Sequence, residues 1–294
     1  WWSNNSGDGL SWTKTTIGSP HNGAASVQAV DIDGDGDLDV IGAAETDDDV
    51  LFFRNTSGGS TWLTVVIDGS GDGIRQVRAG DVDGDGDMDV VGVNDIADTV
   101  VWWENTAASG DGTTWSAAQT IDAFHNGPQG LGLADFDADG DLDAVATQSK
   151  DGGKVTWYEN VADFANPWPE HDLTTLFDGA ATLAVADLDG NSQTDVVAVA
   201  ETAGDVAYFP NRGGQFGLGT VNTSPVTLGD SVTDDVLRIT ATHNGKTGEQ
   251  DIELTSLELL FEELPGDLLT SAEGNSIVEN LFVYRDDGSG SWEM

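Results

Sequence analysis

Cysteine is absent from the 294 residues, so disulfides are excluded and any cross-linking must come from elsewhere. Basic residues are scarce: ten Lys and Arg stand against 53 Asp and Glu, a formal net charge of -43. A surface of that sign repels phosphate backbones and anionic headgroups, which argues against nucleic-acid and membrane-surface roles. It favours cations instead, and metal is the natural substitute for the missing disulfides. No apolar run approaches the roughly 18 residues of a membrane span, so no membrane insertion is expected. The chain has neither an initiating Met nor a signal peptide, and it opens at Trp1-Trp2, inside a repeat. It therefore reads as a processed or partial chain. Acidic chains are often disordered for want of aromatic and β-branched residues. This one carries ten Trp and ten Phe, with Val and Ile in short runs, and is expected to fold as one or two domains.

What the chain has is a repeat. DIDGDGDLD begins at Asp31, DVDGDGDMD at Asp81, DFDADGDLD at Asp135 and DLDGNSQTD at Asp187, in steps of 50, 54 and 52 residues. Aromatic pairs run in phase with it: Trp1-Trp2, Phe52-Phe53, Trp102-Trp103, Trp157-Tyr158 and Tyr208-Phe209. Each pair is followed by an Asn, at Asn4, Asn55, Asn105, Asn160 and Asn211, and then by a lone aromatic at Trp12, Trp62, Trp115, Trp168 or Phe216. In the first full copy, Val27–Val30, Asp39–Ala43, Val50–Phe53 and Trp62–Ile67 read as strands bounded by turn residues. Four strands per repeat of this length is the pattern of a β-propeller blade. The expected order is a half blade, three full blades, and a fourth ending near Val221.

The Asp-rich loops fall between the first and second strands. Ca²⁺ takes about 6–8 oxygen ligands, and acidic side chains at positions 1, 3, 5 and 9 of a short loop converge on one point. Position 7 supplies a backbone carbonyl. The expected ligands are Asp31, Asp33, Asp35 and Asp39 with Asp37; Asp81, Asp83, Asp85 and Asp89 with Asp87; and Asp135, Asp137, Asp139 and Asp143 with Asp141. In the fourth loop they are Asp187, Asp189, Asn191 and Asp195 with Gln193. About four Ca²⁺ ions follow. Ala138 stands where the other loops have Gly at position 4, which reads as a position with no need of positive φ. Ser192 at position 6 and the uncharged Asn191 make the fourth site the weakest expected one.

These loops, D-x-D-G-D-G-x-x-D followed by a strand like WWEN, resemble the FG-GAP/VCBS repeat family over about residues 1–222. The resemblance implies a calcium-bearing propeller like that of integrin α-chain heads, often seven-bladed. It also implies bacterial surface or secreted proteins, some lectins, and modules attached to enzymes. The number of blades here departs from seven.

The aromatic pairs read as packing between blades, with sugar stacking as the alternative. His21 and His125 precede a blade's first strand in His-Asn-Gly triplets and suit a turn. No Ser, His and acid set repeats the logic of a catalytic triad, and glycosidase-type carboxylates cannot be picked out from 53 acids. The chain is accordingly expected not to be an enzyme. Asn4, Asn55 and Asn222 lie in N-x-S/T sequons, which would mark exposed loops in a secreted eukaryotic protein.

After residue 222 the repeat stops. Val236–Thr242, Asp251–Phe261 and Phe282–Arg285 read as strands, and Thr270 through Glu273 as a capping box opening a short helix that runs through Leu281. The fold class expected is thus all-β: a propeller-like array of four-stranded blades over 1–222, then a small β-rich domain over 223–294 with one short helix. Unfinished strands at both ends suggest assembly with further copies of the chain. The functional expectation is a calcium-stabilised structural or adhesive protein of a microbial surface or the extracellular space, including a filament subunit. The alternative is a glycan-binding module, free or attached to a polysaccharide-active enzyme.

Overall fold

Short runs of Val, Ile, Ala and aromatic residues, cut by Asp- and Gly-rich turns, satisfy their backbone groups most readily as antiparallel hairpins. The computed structural model describes residues 1–161, 164 and 167–211, and the strands Phe216–Asn222, Leu237–His243, Glu262–Leu264, Asp267–Leu268, Arg285–Asp286 and Trp292–Glu293. Two compact units are present, Trp1–Thr247 and Gly248–Met294. Among the described residues there is no helix, and so none long and apolar enough to cross a membrane.

The first unit opens with a small hairpin of β1 (Trp2–Asn4) and β2 (Trp12–Lys14). Three complete four-stranded antiparallel sheets follow. They are β3 (Ala24–Val30), β4 (Asp39–Ala44), β5 (Asp49–Asn55) and β6 (Trp62–Asp68); β7 (Ile74–Gly80), β8 (Asp89–Asn94), β9 (Thr99–Trp103) and β10 (Gln119–Asp122); and β11 (Pro128–Ala134), β12 (Asp143–Gln148), β13 (Lys154–Tyr158) and β14 (Glu170–Thr174). The fourth sheet has three strands, β15 (Ala180–Ala186), β16 (Asp195–Ala200) and β17 (Asp205–Phe209). Three of these sheets are four-stranded blades as expected, and the fourth has three strands among the described residues.

One element pairs differently. The run from Phe216 through Val221 was expected to complete the fourth blade. Instead β18 (Phe216–Asn222) pairs with β19 (Leu237–His243) in a continuous seven-residue register. An antiparallel partner satisfies the amides of that run that face it whichever strand it is, which is why hydrophobic pattern alone does not decide its neighbour. β19 itself coincides with the strand expected at Val236–Thr242. In the second unit the short pairs are β20 (Glu262–Leu264) with β21 (Asp267–Leu268), and β22 (Arg285–Asp286) with β23 (Trp292–Glu293). The strand expected at Asp251–Phe261, the helix from Thr270 through Leu281 and most of the strand at Phe282–Arg285 lie outside the described residues.

The blades pack through their first strands. In β3, β7 and β15 the register shifts at the same place, between Ala24 and Ser26, Ile74 and Gln76, and Ala180 and Thr182. Such a bulge bends the strand and re-aims the next side chain. Ser26 Oγ accepts the Val77 amide at 3.1 Å, and the equivalent Gln76 Oε1 accepts the Leu131 amide at 2.7 Å. At the next junction the slot holds Gly130, where any Cβ would sit within 3.0 Å of the Thr182–Leu183 backbone. There Thr147 reaches across instead, its Oγ1 donating to the Ala181 carbonyl.

The apolar core lies between successive blades. Ile41, Val50 and Phe52 of the first pack with Ile74, Val90 and Trp103 of the second. Val91, Trp102, Leu131 and Tyr158 fill the next gap, and Val145, Val155, Phe177 and Val196 the third. In the complete blades the aromatic pairs are thus packing residues. Trp103 is fully buried and donates its indole N–H to Asp68, the arrangement that lets so large an amphipathic ring enter a core. Truncating it to Ala would cost about 3–5 kcal/mol.

Candidate metal centres

Each Asp-rich loop links the first strand of a blade to the second, so all four emerge at the same end of their sheets. Their internal hydrogen bonds repeat. The amide at position 6 donates to the position-1 carboxylate: Gly36 to Asp31, Gly86 to Asp81, Gly140 to Asp135 and Ser192 to Asp187. The position-7 amide donates to position 5: Asp37 to Asp35, Asp87 to Asp85, Asp141 to Asp139 and Gln193 to Asn191. Bonds of this kind wind the loop and turn the remaining oxygens inward.

The winding requires left-handed backbone. At position 4 φ is 68° at Gly34, 76° at Gly84, 61° at Ala138 and 78° at Gly190. Ala138 therefore does not mark a position free of positive φ, as its side chain had implied. It adopts the same conformation as the glycines because the loop's hydrogen bonds impose it. Ser192 does likewise at position 6, with φ of 69°.

The expected ligands are brought together in part. Carboxylate oxygens of Asp31, Asp33 and Asp39 lie within 4.8 Å of one another, as do those of Asp135, Asp137 and Asp143, and of Asp187, Asp189 and Asp195. In the second loop the converging set is Asp81, Asp83 and Asp85. At position 7 the Asp37 carboxylate turns away to accept the Gly58 amide, leaving its carbonyl for the loop. Asn191 donates its side-chain amide to the Asn211 carbonyl.

Position 9 does more than offer a ligand. Asp39, Asp89, Asp143 and Asp195 are buried to 1% exposure or less. Each takes the amide of loop position 2 on Oδ2: Ile32, Val82, Phe136 and Leu188. Each takes on Oδ1 the amide of the Asn that follows the aromatic pair: Asn55, Asn105, Asn160 and Asn211. The recurring Asn is the residue whose role was missed; its near-constant distance from each loop, 16 residues after position 9 in three repeats and 17 in the third, was the available signal. Asn55, itself buried, also donates its side-chain amide to the Leu38 carbonyl, so this sequon is not an exposed glycan acceptor.

Arg54 stands against Asp33; Asp39, Asp83, Asp89 and Asp143 are governed by burial and by repulsion from neighbouring carboxylates. Burial pushes Asp89 and Asp143 up to about 7, against the amides that stabilise their charged forms. Burial also raises Asp39, with Asp33 adding repulsion. Asp83 is raised by burial and by its neighbours Asp85, Glu104 and Asp81. The Asp33 side chain is fully buried, and Asp31 Oδ1 is buried with no hydrogen-bond partner. An all-oxygen, multiply anionic donor set on a rigid turn fits a hard cation such as Ca²⁺.

At the opposite end of the first blade, His21, Asp47 and Asp49 also come within 4.8 Å of one another. The Asn22 amide and side chain both bond Asp47 there, in keeping with a turn. His125 is buried against Tyr158, whose hydroxyl meets both His125 Nδ1 and Asp122.

No curated protein matches this chain. Among solved structures, it is similar to a GH62 hydrolase in complex with xylotriose, at 11% identity and a TM-score of 0.44 over 63% of this chain and 64% of that one. A GH62 α-L-arabinofuranosidase catalytic domain from Coprinopsis cinerea gives 12%, 0.42, and 65% and 69% of the two chains. The V. cholerae biofilm matrix protein Bap1 gives 18%, 0.34, and 64% and 37%. The expectation that the chain is not an enzyme is corrected on this point, because hydrolases stand among the structures it resembles. At these TM-scores the likeness assigns no activity. The FG-GAP-like repeat matches at residues 1–42, 31–92, 81–146 and 135–198, every stretch bounded by or containing an Asp-rich loop. The chain belongs to the FG-GAP-like repeat family.

Proposed function

We propose that this protein is a calcium-stabilised repeat protein of the cell exterior, serving as a structural or adhesive component of a surface or matrix. The observation that carries the reading is the fourfold recurrence of one loop, with three carboxylates converging within 4.8 Å each time. The residues that would hold the ions are those at positions 1, 3, 5 and 9, with the position-7 carbonyl. Bound Ca²⁺ would supply positive charge among these carboxylates; four ions, eight charges, would bring the formal charge from -43 to -35. The protein's own part is to hold the oxygens in place, through the position-6 and position-7 amides and the Asn that follows each aromatic pair. Sites of extracellular modules typically bind at about 10⁻⁴–10⁻³ M, which suits a calcium-rich, Cys-free exterior.

Thermal unfolding followed by Trp fluorescence tests this. At a tenfold to hundredfold excess over Kd, calcium should add about 1.4–2.7 kcal/mol per site, and EDTA should abolish the gain. Superimposable curves with calcium and EDTA would remove the reading.

A glycan-contacting role is the second reading, favoured by the β1–β2 hairpin. There Trp1, Trp2 and Trp12 are 46%, 60% and 52% exposed, unlike the pairs inside complete blades. Saturable binding on a glycan array, lost in Trp2→Ala and Trp12→Ala, would support it. Trp103 is core and would not report on binding.

A further inference from the structure

The first two loops are a matched pair. Asp31, Asp33, Asp35, Asp37 and Asp39 correspond one for one to Asp81, Asp83, Asp85, Asp87 and Asp89, with Gly at positions 4 and 6 in both. Three amide bonds wind both, including one of 3.2 Å from position 5 to Oδ1 of position 3 in each, and the second loop adds one from Gly84 to Asp81. On carboxylate count alone they would bind a cation equally.

They differ in what stands behind them. The residue after the aromatic pair is Arg54 in the first blade and Glu104 in the second. Arg54 Nε is in direct contact with Asp33 Oδ2, and its Nη1 lies 3.7 Å from Asp111 Oδ2. With Oδ1 taken by the Asp35 amide and Oδ2 by a guanidinium, the fully buried Asp33 carboxylate already has a cationic partner. In the second loop the corresponding side chain is an acid, near enough to Asp83 to add to its repulsion.

Resting on the calcium reading above, we infer that the residue after the aromatic pair sets the calcium affinity of its loop. Arg54 acts as a resident cation that weakens the first site, and Glu104 strengthens the second. A difference of two unit charges beside a divalent ion is worth at least about tenfold in affinity, even at near-aqueous dielectric and with screening by salt. The position recurs as Glu159 in the third blade, where it bonds His171 at 2.9 Å, and as Pro210 in the fourth. The loops therefore fill over a range of calcium concentrations rather than together. The first blade, carrying its own cation, depends least on calcium for its fold.

Each loop has its own reporter, the position-6 amide bonded to the position-1 ligand: Gly36 in the first and Gly86 in the second. Calcium titration of the EDTA-treated, ¹⁵N-labelled chain, followed by amide NMR, reads the two midpoints separately. The expected result is a Gly36 midpoint at least about tenfold above that of Gly86. Arg54→Glu should lower the Gly36 midpoint, Glu104→Arg should raise that of Gly86, and Arg54→Lys should behave as wild type. Glu104→Arg tests the idea even if an Arg54 variant fails to fold. Midpoints that coincide in the wild type, or that move in neither Arg54→Glu nor Glu104→Arg, would overturn the inference and leave calcium binding standing. Silence of all the loop amides would overturn the calcium reading and this inference with it.

Discussion

The backbone amide of Asn55 lies 2.7 Å from Oδ1 of Asp39, sixteen residues earlier, while Oδ2 of the same carboxylate holds the Ile32 amide at 3.0 Å. One buried side chain thus fastens the start of the Asp-rich loop to the end of the third strand. The same clasp recurs at Asp89, Asp143 and Asp195.

That double duty separates two kinds of loop aspartate. Asp39→Ala strands two amides, and each buried donor left unmade costs about 1–3 kcal/mol. The variant should therefore lose about 3 kcal/mol in urea unfolding even in EDTA. Asp35 is exposed and accepts only the Asp37 amide, itself within the loop. Asp35→Ala should cost less than about 1 kcal/mol in EDTA and show its larger effect only in calcium. Equal losses for the two variants in EDTA would mean that position 9 is a ligand and nothing more.

The blades were legible in the sequence because their signals recur together: Asp-rich loop, aromatic pair, Asn, lone aromatic. Periodicity placed β3 through β6 to within a few residues. What it could not show was contact between recurring slots. Asp39 reads as a ligand from its spacing, but its bond to Asn55 exists only once β4 and β5 pair. Ala138 misled because residue type was taken to report backbone conformation, whereas the loop's hydrogen bonds impose φ on whatever stands there. Arg54 carries no motif at all; its place beside Asp33 depends on the pairing of β4 with β5. The run at Phe216 had the right composition for a fourth blade strand, yet pattern does not name a strand's partner.

Ala138 and Ser192 yield a prediction of opposite sign. A non-glycine residue in left-handed backbone costs roughly 1–2 kcal/mol, and both sit there at φ of 61° and 69°. Glycine at the equivalent positions 34 and 36 has nothing within 4 Å of where a Cβ would be, so no packing is lost by its use. Ala138→Gly and Ser192→Gly should each stabilise the protein by about 0.5–1 kcal/mol, after allowing for glycine's greater freedom in the unfolded chain. Chemical denaturation of each variant in EDTA checks this. A loss of stability in both would show that strain is not what distinguishes these positions.

Tyr158 offers a test of the core away from the loops. Its hydroxyl donates to Asp122 at 2.8 Å and meets His125 Nδ1 at 2.6 Å, all three residues being buried. Burial, with the Asp122 charge, raises the Tyr158 pKa far above its ordinary value, so the phenol stays neutral. Tyr158→Phe keeps the ring but removes the hydroxyl that bridges Asp122 Oδ2 and His125 Nδ1, leaving those two atoms facing each other at 3.6 Å. The expected cost is about 2–3 kcal/mol, seen as a lower denaturation midpoint with the denaturant slope unchanged. An unchanged midpoint would mean that Asp122 and His125 find each other directly when the hydroxyl is gone.

The pH dependence should change sign with calcium. In the metal-free protein, burial holds Asp89 and Asp143 at about 7, well above the roughly 3.9 of an unfolded Asp. Between those values the folded state keeps protons that the unfolded state has released, so stability falls as pH rises. It is fully present below about 4 and lost as pH passes through 7. For a chain of this size the melting temperature in EDTA should drop by roughly 5–10 °C between pH 5 and pH 8. A cation within a few ångströms favours the ionised carboxylate and pulls these values down. In saturating calcium the proton is then the competitor, and the melting temperature should hold or rise over the same interval. Melting curves at pH 5, 6, 7 and 8 under both conditions decide it. A melting temperature that climbs with pH in EDTA would mean the two buried aspartates are ionised in the metal-free fold, held so by their backbone amides alone.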